Sequence, residues 1–196
     1  MVSLDEYNSG VDPSWCPGCG NFSILDAMKD AFSRMNLAPE KLLIVSGIGQ
    51  AGKTPHFLNC NFFHGLHGRA LPVATGAKIA NHELNIVVSS GDGDCYGEGG
   101  NHFISAVRRN IDITLLVHNN KVYGLTKGQF SATADEGLEL KGQGCNPYMP
   151  VDIAWEALVA NASFVARSFA GDPKQVKEII KAALINNKVS DMGSGK

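Results

Sequence analysis

The fold class follows from one stretch of sequence, Leu84-Asn-Ile-Val-Val-Ser-Ser-Gly-Asp-Gly-Asp94. Residues 84–89 form a short apolar run that is typical of a buried strand, and the run ends at a polar, glycine-rich turn. Two further runs of this kind, residues 42–45 and 111–117, also end at polar or glycine-containing segments. Because strands that are apolar along their whole length are buried on both faces, the three runs predict a parallel sheet.

Helical patterns alternate with these strands. Residues 21–35 place apolar side chains at spacings of three and four, which form one face of an amphipathic helix. Further helices are predicted over residues 100–109 and 151–161, and residues 163–169 predict another strand. Asp172-Pro173 begins a last helix, as an N-cap residue followed by proline at the first helical position. The alternation predicts an α/β fold, a parallel sheet with helices on both faces.

The length of 196 residues predicts one globular domain over residues 1–196. Within it, residues 1–20 form an N-terminal CxxC segment and residues 189–196 form a short tail. An α/β fold normally returns to its sheet after the last helix, so we expect that a final strand is missing. Either a natural truncation or a cloning remnant at Gly193-Ser-Gly-Lys196 would explain this end.

The charge balance argues against nucleic acid and membrane partners. The 17 basic and 19 acidic residues give a net charge of −2, so no basic surface for nucleic acid is predicted. No apolar stretch reaches the roughly 18 residues of a membrane helix, and the N-terminus lacks the features of a signal peptide. We therefore expect a cytoplasmic protein. Its five cysteines include a single CxxC, which favours metal or redox chemistry over a disulfide framework.

The predicted strands bring their polar ends to one edge of the sheet, where ligands bind in open parallel sheets. Asp92 and Asn120 offer hard oxygen ligands of the type that Mg²⁺ uses when it holds a diphosphate. Main-chain N–H groups at Gly91 and Gly93 can approach phosphate oxygens, and a helix near Gly100 adds the positive end of its dipole. A Gly-Asp-Gly by itself is also typical of an ordinary turn, whereas its combination with a later Asn-Asn is more specific.

The stretch from Gly91-Asp-Gly93 to Asn119-Asn120 resembles the thiamine diphosphate motif of thiamine-dependent enzymes. More narrowly, the chain resembles the β subunit of 2-oxoacid:ferredoxin oxidoreductases from about residue 10 to residue 188. The matching stretches are Trp15-Cys-Pro-Gly-Cys-Gly-Asn21, Val45-Ser-Gly-Ile-Gly49, Leu66-His-Gly-Arg69, Arg108-Arg-Asn-Ile-Asp-Ile-Thr114 and Val122-Tyr-Gly-Leu-Thr-Lys-Gly-Gln129.

The resemblance implies a role for each matching position. The implied Mg²⁺ ligands are Asp92, Asn120 and the carbonyl of Val122. The residues implied to surround the diphosphate are Gly93, Asp94, Gly124 and Leu125. Those implied to border the thiazolium and pyrimidine rings are Ile48, Gly49, Gln50, Ala51 and His67. Two lysines complete the set, Lys53 as a catalytic residue with His67, near the substrate carboxylate, and Lys127 in a loop implicated in coenzyme A access.

Four of the basic residues also have simpler interpretations. Lys53 and Lys127 follow glycine-rich or turn segments, where a lysine is often a solvated charge. Arg69 could be a structural salt-bridge partner, and His64 could be an ordinary hydrogen-bonded loop histidine.

The resemblance implies oxidative decarboxylation of a 2-oxoacid to an acyl-coenzyme A, with electrons passed to ferredoxin. In such enzymes a glutamate on a separate pyrimidine-binding domain activates the cofactor. A chain of 196 residues cannot hold both domains, so the resemblance implies a partner, the α (or fused γα) subunit. Which 2-oxoacid is used depends on pocket shape across both chains.

The cysteines depart from the pattern of the family. Cys16 and Cys19 match the first pair of ligands of a 4Fe-4S cluster, whereas Gln50 stands at the third position and the fourth lies beyond residue 190. The cluster is absent, is completed by a substitute such as Cys60, or was lost with an incomplete chain. We expect Cys95 and Cys145 to be buried as small apolar residues.

Two rival functions remain open at this point. One is a cluster-less thiamine-dependent subunit that performs non-oxidative decarboxylation or carboligation. The other is a truncated, catalytically silent chain that only helps to assemble the complex.

Overall fold

A computed structural model of the protein describes residues 2–193, and the side chains up to residue 186. Four parallel strands form the central sheet in the order β2-β1-β3-β4. The strands are β1 (Leu42–Ser46), β2 (Asn61–His64), β3 (Asn85–Gly91) and β4 (Thr114–His118). The three predicted strands are therefore confirmed, although β4 begins at Thr114 rather than at residue 111.

Five α-helices connect and flank the sheet. They are α1 (Gly20–Arg34), α2 (Ala70–Ala80), α3 (Gly100–Arg109), α4 (Ile153–Val159) and α5 (Pro173–Gly193). A 3₁₀ helix, Ala51–Phe57, follows β1, and a π-helix, Gly93–Glu98, follows β3. Two small hairpins pair β5 (Val122–Tyr123) with β6 (Gln129–Phe130) and β7 (Glu139–Leu140) with β8 (Gly144–Cys145).

The core lies on both faces of the sheet, as predicted. Ile44 and Val87 face a cluster that contains the buried sides of α1 and α5. Val45 and Val88, the next residues in each strand, face a second cluster that contains α2, α3 and α4. This alternation follows from the period of two in a strand, and it explains why both strands are apolar throughout.

One predicted strand is wrong. Residues 163–169 have no strand structure and form no ladder within the described part of the chain. A cavity of about 790 Å³ is lined both by this segment and by β4. A sequence with β propensity becomes a strand only where a neighbouring strand accepts its hydrogen bonds.

Among the strands of the central sheet and the α-helices within residues 2–193, β2 and α2 have no counterpart in the sequence predictions. All four residues of β2 are exposed, because it is the edge strand of the sheet, so it lacks a buried apolar run. On α3 the sequence pattern predicts Phe103, Ile104 and Val107 to face inward; Phe103 is 3% exposed, whereas the prediction is wrong for Ile104, which is 42% exposed. No helix within residues 2–193 is long and apolar enough to cross a membrane. The single domain over residues 1–196 stays a prediction.

Candidate functional site

The polar segments after β1, β3 and β4 meet at the carboxyl edge of the sheet. Ser46 at the end of β1 is in register with Ser89, and Gly91 at the end of β3 is in register with His118. The edge therefore brings together the turn after β1, the Gly91–Asp94 segment and the loop that begins at Asn119.

Asp92 is the buried carboxylate of this edge, with 2% of its surface exposed. Its Oδ2 accepts hydrogen bonds from the Ser131 hydroxyl at 2.5 Å and the Thr133 hydroxyl at 2.8 Å. The Thr133 hydroxyl also lies 2.9 Å from Oδ1 of Asn119, so it links Asp92 to the loop after β4. Sequence reasoning missed both hydroxyls, because nothing in their local sequence connects them to a residue about 40 positions earlier.

The loop after β4 folds over Gly93. The Tyr123 hydroxyl donates to the Gly93 carbonyl at 3.3 Å, and a Cβ at Gly93 would lie 2.4 Å from the Tyr123 ring. Burial, with Glu98, Asp92 and Asp94 nearby, raises the pKa of Tyr123, so this hydroxyl keeps its proton and donates. Only glycine at position 93 allows this close approach of the Tyr123 ring to the segment that follows Asp92.

The metal ligands implied by the resemblance have suitable chemistry for Mg²⁺. Asp92 offers a carboxylate, Asn120 an amide oxygen and Val122 a carbonyl, all of them hard oxygen donors. The Asn120 Oδ1 accepts the N–H of Val122 at 3.2 Å, which keeps these two residues of the loop together. The residues present therefore fit a Mg²⁺ ion that holds a diphosphate.

Asp94 joins three segments of the edge and is 3% exposed. Its Oδ1 accepts the N–H groups of Ile48 at 3.0 Å and Gly68 at 2.8 Å, and its Oδ2 accepts the Ser90 hydroxyl at 2.5 Å. His67 places Nδ1 at 2.8 Å from Oδ1 of the same carboxylate. Asp94 was predicted to surround the diphosphate; in the structure its oxygens hold the chain itself, and a contact with the diphosphate stays a prediction.

The turn from Ile48 to Ala51 faces the loop after β4. Gly49 has a φ of +106°, a backbone conformation that favours glycine. A Cβ at Gly124 would lie 3.7 Å from both Gln50 Cγ and the Asn120 amide nitrogen. The structure therefore brings Gln50, Asn120 and Gly124 together; that they surround one cofactor stays a prediction.

Three of the predicted residues are less constrained. Leu125 is 48% exposed, Lys127 lies in an exposed turn and Lys53 is half-buried in the 3₁₀ helix. Within residues 2–186, neither lysine Nζ makes a hydrogen bond or an ion pair. Their roles toward substrate and coenzyme A stay predictions.

His64 is a hydrogen-bonded histidine, as its simpler interpretation predicted, whereas Arg69 contacts a histidine instead of forming a salt bridge. His64 Nδ1 lies 2.9 Å from the Gly52 carbonyl and 3.0 Å from the Ser46 hydroxyl, so it is a hydrogen-bonded structural histidine. Arg69 Nη1 lies 2.9 Å from His102 Nε2, and no carboxylate among the described residues pairs with it.

The cysteines of the described residues do not fit a four-thiolate cluster. Cys16 and Cys19 flank a turn closed by the bond from Cys19 N–H to the Cys16 carbonyl at 3.0 Å. No group of three or more His, Cys, Asp or Glu side chains in this part of the chain could hold a metal ion. Burial raises the pKa of the Cys60 thiol to about 12, which opposes the thiolate form that a metal requires.

The two remaining cysteines differ in burial. Cys95 is 3% exposed, as expected for a small apolar residue. The same expectation is wrong for Cys145, which is exposed because it lies in the short hairpin strand β8, away from the sheet.

A parallel sheet whose carboxyl edge carries a buried acid, glycines and amide oxygens defines the class of α/β domains that bind diphosphate-containing cofactors. Residues 47–191 match the family described as thiamine pyrophosphate enzyme, C-terminal TPP binding domain. The chain belongs to this family.

Relatives along nearly the whole chain confirm the narrower resemblance. The chain is 48% identical over 185 residues to 2-oxoacid:ferredoxin oxidoreductase 1, subunit beta, of Aeropyrum pernix, which covers 94% of this chain and 58% of that protein. It is 51% identical over 174 residues to the 2-oxoacid:ferredoxin oxidoreductase subunit beta of Saccharolobus solfataricus, over 87% of this chain and 57% of that protein. The chain thus spans less than two thirds of the length of these relatives.

Solved structures agree with the sequence comparison. The chain superposes on a 2-oxoglutarate:ferredoxin oxidoreductase from Magnetococcus marinus, solved with 2-oxoglutarate, coenzyme A and succinyl-CoA bound, with a TM-score of 0.91 and 37% identity. The match covers 94% of this chain and 64% of that one. Benzoylformate decarboxylase from Polynucleobacter necessarius, at 16% identity, 89% coverage of this chain, 33% of that chain and a TM-score of 0.55, shares the fold.

Proposed function

We propose that this chain is the thiamine diphosphate-binding β subunit of a 2-oxoacid oxidoreductase. With a partner subunit, it would convert a 2-oxoacid and coenzyme A to an acyl-coenzyme A and CO₂, with ferredoxin as electron acceptor. The names of the relatives support this reaction class.

The observation that carries the proposal is the placement of Asp92. A carboxylate that is 2% exposed lies at the carboxyl end of the central strand and is linked by Thr133 to the loop that contains Asn120 and Val122. A buried carboxylate costs folding free energy unless it is paired or coordinated. A Mg²⁺ ion bound to Asp92, Asn120 and Val122 would supply such a partner.

The residues of this chain have distinct tasks in the proposed reaction. Thiamine diphosphate, when bound, supplies the electron sink for loss of CO₂. Asp92 and the Asn120 loop hold its diphosphate through Mg²⁺. The Ile48–Ala51 turn, which Asp94 fixes through Ile48, borders the rings and excludes water from them. Lys53 would attract the carboxylate of the 2-oxoacid, and Lys127 would lie near coenzyme A.

A partner chain completes the proposed site. The family to which this chain belongs is a C-terminal cofactor-binding domain, and the pyrimidine half with its glutamate would come from the α (or fused γα) subunit. A site that is assembled from two chains explains why predicted residues such as Leu125 are exposed in this chain alone.

Removal of the Asp92 carboxylate tests the proposed cofactor site. We expect Asp92→Ala to abolish Mg²⁺-dependent binding of thiamine diphosphate, measured by calorimetric titration of the complex with its partner. Asp26→Ala removes an exposed carboxylate on α1 and should bind as the wild type does.

Circular dichroism and the thermal unfolding midpoint would show that both variants fold. Unchanged affinity in folded Asp92→Ala would contradict the site assignment. A wild-type complex without affinity for the cofactor would instead favour the catalytically silent assembly chain.

A second candidate function is supported by the cysteines. Only Cys16 and Cys19 match cluster ligands of the family, and Gln50 stands at the position of the third. Without a cluster of its own, the chain could belong to a thiamine-dependent enzyme that decarboxylates or ligates 2-oxoacids without electron transfer. CO₂ release without reduction of ferredoxin or a viologen would favour this candidate over the oxidoreductase.

A further inference from the structure

Trp15 is a buried anchor in an otherwise exposed segment. It is 7% exposed, whereas its neighbours Ser14, Cys16 and Pro17 are all exposed. The burial of this one aromatic side chain therefore attaches the segment to the domain at Trp15.

The indole ring contacts both ends of the 3₁₀ helix that follows β1. Its Nε1 donates to the carbonyl of Gln50, directly before this helix, at 2.9 Å. Its ring packs edge-to-face on Phe57, at the end of the helix, with 4.8 Å between ring centroids and 75° between planes. Phe22 of α1 contacts the ring from another side, at 5.3 Å and 88°. The two phenylalanine rings therefore fix the position of the indole ring, and the indole N–H in turn fixes the Gln50 carbonyl.

Three successive carbonyl groups of this turn accept hydrogen bonds from side chains. The donors are Trp15 Nε1 to Gln50, Ser89 Oγ to Ala51 at 3.2 Å and Ser46 Oγ to Gly52 at 2.8 Å. The two serines lie on sheet strands, whereas Trp15 alone belongs to the N-terminal segment. The conformation of Gln50 therefore depends on a residue that neighbours Cys16.

We propose that Trp15 is a positioning residue for thiamine diphosphate, an inference that rests on the proposed function. Its indole N–H fixes the Gln50 carbonyl, and with it the turn from Ile48 to Ala51 in the shape that borders the cofactor rings. This bond couples the position of the CxxC segment to the conformation of the turn from Ile48 to Ala51.

Replacement of the indole by a phenyl ring separates the hydrogen bond from the packing. Trp15→Phe keeps a buried aromatic side chain and removes the donor to Gln50. The loss of one hydrogen bond between neutral groups changes an equilibrium constant by about two- to twelvefold, so we expect the dissociation constant of thiamine diphosphate to rise by a factor in this range. The measurement is a calorimetric titration of the complex with its partner at saturating Mg²⁺.

Trp155→Phe is the matched control, because the protein has two tryptophans and Trp155 is 65% exposed on α4. This variant should bind the cofactor as the wild type does. A Trp15→Phe complex that binds within twofold of the wild type, even with a lower unfolding midpoint, would show a merely structural role and overturn the proposal. A wild-type complex that binds no cofactor would overturn the proposed function and this inference together.

A spectroscopic measurement gives a second test, whose result would not change if Trp15 contributed only to packing. The chain is labelled with 5-fluorotryptophan, combined with its unlabelled partner and observed by ¹⁹F NMR, with the resonances assigned through Trp155→Phe. Thiamine diphosphate with Mg²⁺ should shift the Trp15 resonance and leave that of Trp155 in place. Equal or absent shifts at saturation would contradict the coupling.

Discussion

His118 joins three elements through a single imidazole ring at the end of β4. Its Nδ1 lies 2.8 Å from Oδ1 of Asn21 on α1, and its Nε2 lies 3.2 Å from the hydroxyl of Ser89 on β3. Burial lowers the pKa of His118 from 6.5 to about 4, so the folded protein keeps the ring neutral in mildly acidic solution.

This lowered pKa predicts a loss of stability in acid. Below pH 6.5 the unfolded chain protonates this histidine, whereas the folded chain does so only near pH 4. Stability therefore falls as the pH falls through this window, by up to about 1.4 kcal/mol per pH unit. Urea unfolding of the chain at pH 7, 6 and 5 should show a weaker pH dependence for His118→Gln than for the wild type. His82→Gln removes an exposed imidazole and should leave the slope unchanged; equal slopes in all three proteins would contradict the prediction.

At the scale of elements, the contact between the π-helix and the β5–β6 hairpin shapes the loop that contains Asn120 and Val122. Gly93 begins the π-helix directly under the ring of Tyr123. A side chain at Gly93 would displace this ring and the strand that carries Val122. The hairpin thus depends on a glycine that the sequence suggested only as a phosphate-binding residue.

A pair of glycine substitutions tests this contact. In Gly93→Ala the new Cβ would lie 2.4 Å from the Tyr123 ring, and overpacking of this kind costs about 1–3 kcal/mol. We expect lower stability and at least about tenfold weaker Mg²⁺-dependent binding of thiamine diphosphate, measured by thermal unfolding and calorimetry.

Gly76→Ala is the control, because a Cβ there meets nothing within 4 Å on α2. It should leave the affinity unchanged and raise stability by about 0.5–1 kcal/mol, since alanine favours a helix interior. Equal affinities in the two variants would show that the hairpin does not depend on Gly93.

At the scale of the whole molecule, the proposed oxidoreductase requires a path by which electrons leave the site. The described residues provide the Cys16–Cys19 pair, with Gln50 at the third ligand position and Cys60 kept as a thiol by burial. A 4Fe-4S cluster needs about four thiolate ligands. In the proposed oxidoreductase, a chain without a cluster of its own would pass its electrons to a cluster on another subunit.

Iron and acid-labile sulfide content of the anaerobically purified complex tests this expectation. The complex should contain the same iron per partner subunit with the wild-type chain as with the Cys16→Ser/Cys19→Ser variant. A loss of about four iron atoms per chain in the variant would show that this chain does bind a cluster, with ligands outside those described.

Local sequence was enough for three of the four strands of the central sheet, for helices such as α1 and α5, and for the placement of Asp92 and Asn120 at the carboxyl edge of the sheet. The periodicity of a strand or a helix depends on residues that are close in sequence. In a parallel sheet the carboxyl ends of the strands lie at one edge, independent of the conformation of the loops. The expectation of a Mg²⁺-held diphosphate followed from these positions, because Mg²⁺ and diphosphate require particular side chains at that edge, and the resemblance implied that the diphosphate belongs to thiamine diphosphate.

Only the tertiary structure revealed that Asp94 joins Ile48 to Gly68, that Ser131 and Thr133 hold Asp92, and that Trp15 fixes Gln50. These partners are 26 to 46 residues apart, and no local pattern encodes such pairings. The segment 163–169 was wrongly predicted as a strand for the same reason. Its local sequence favours a strand, but a strand also requires hydrogen bonds from a second segment. Local sequence does not decide which segment that is.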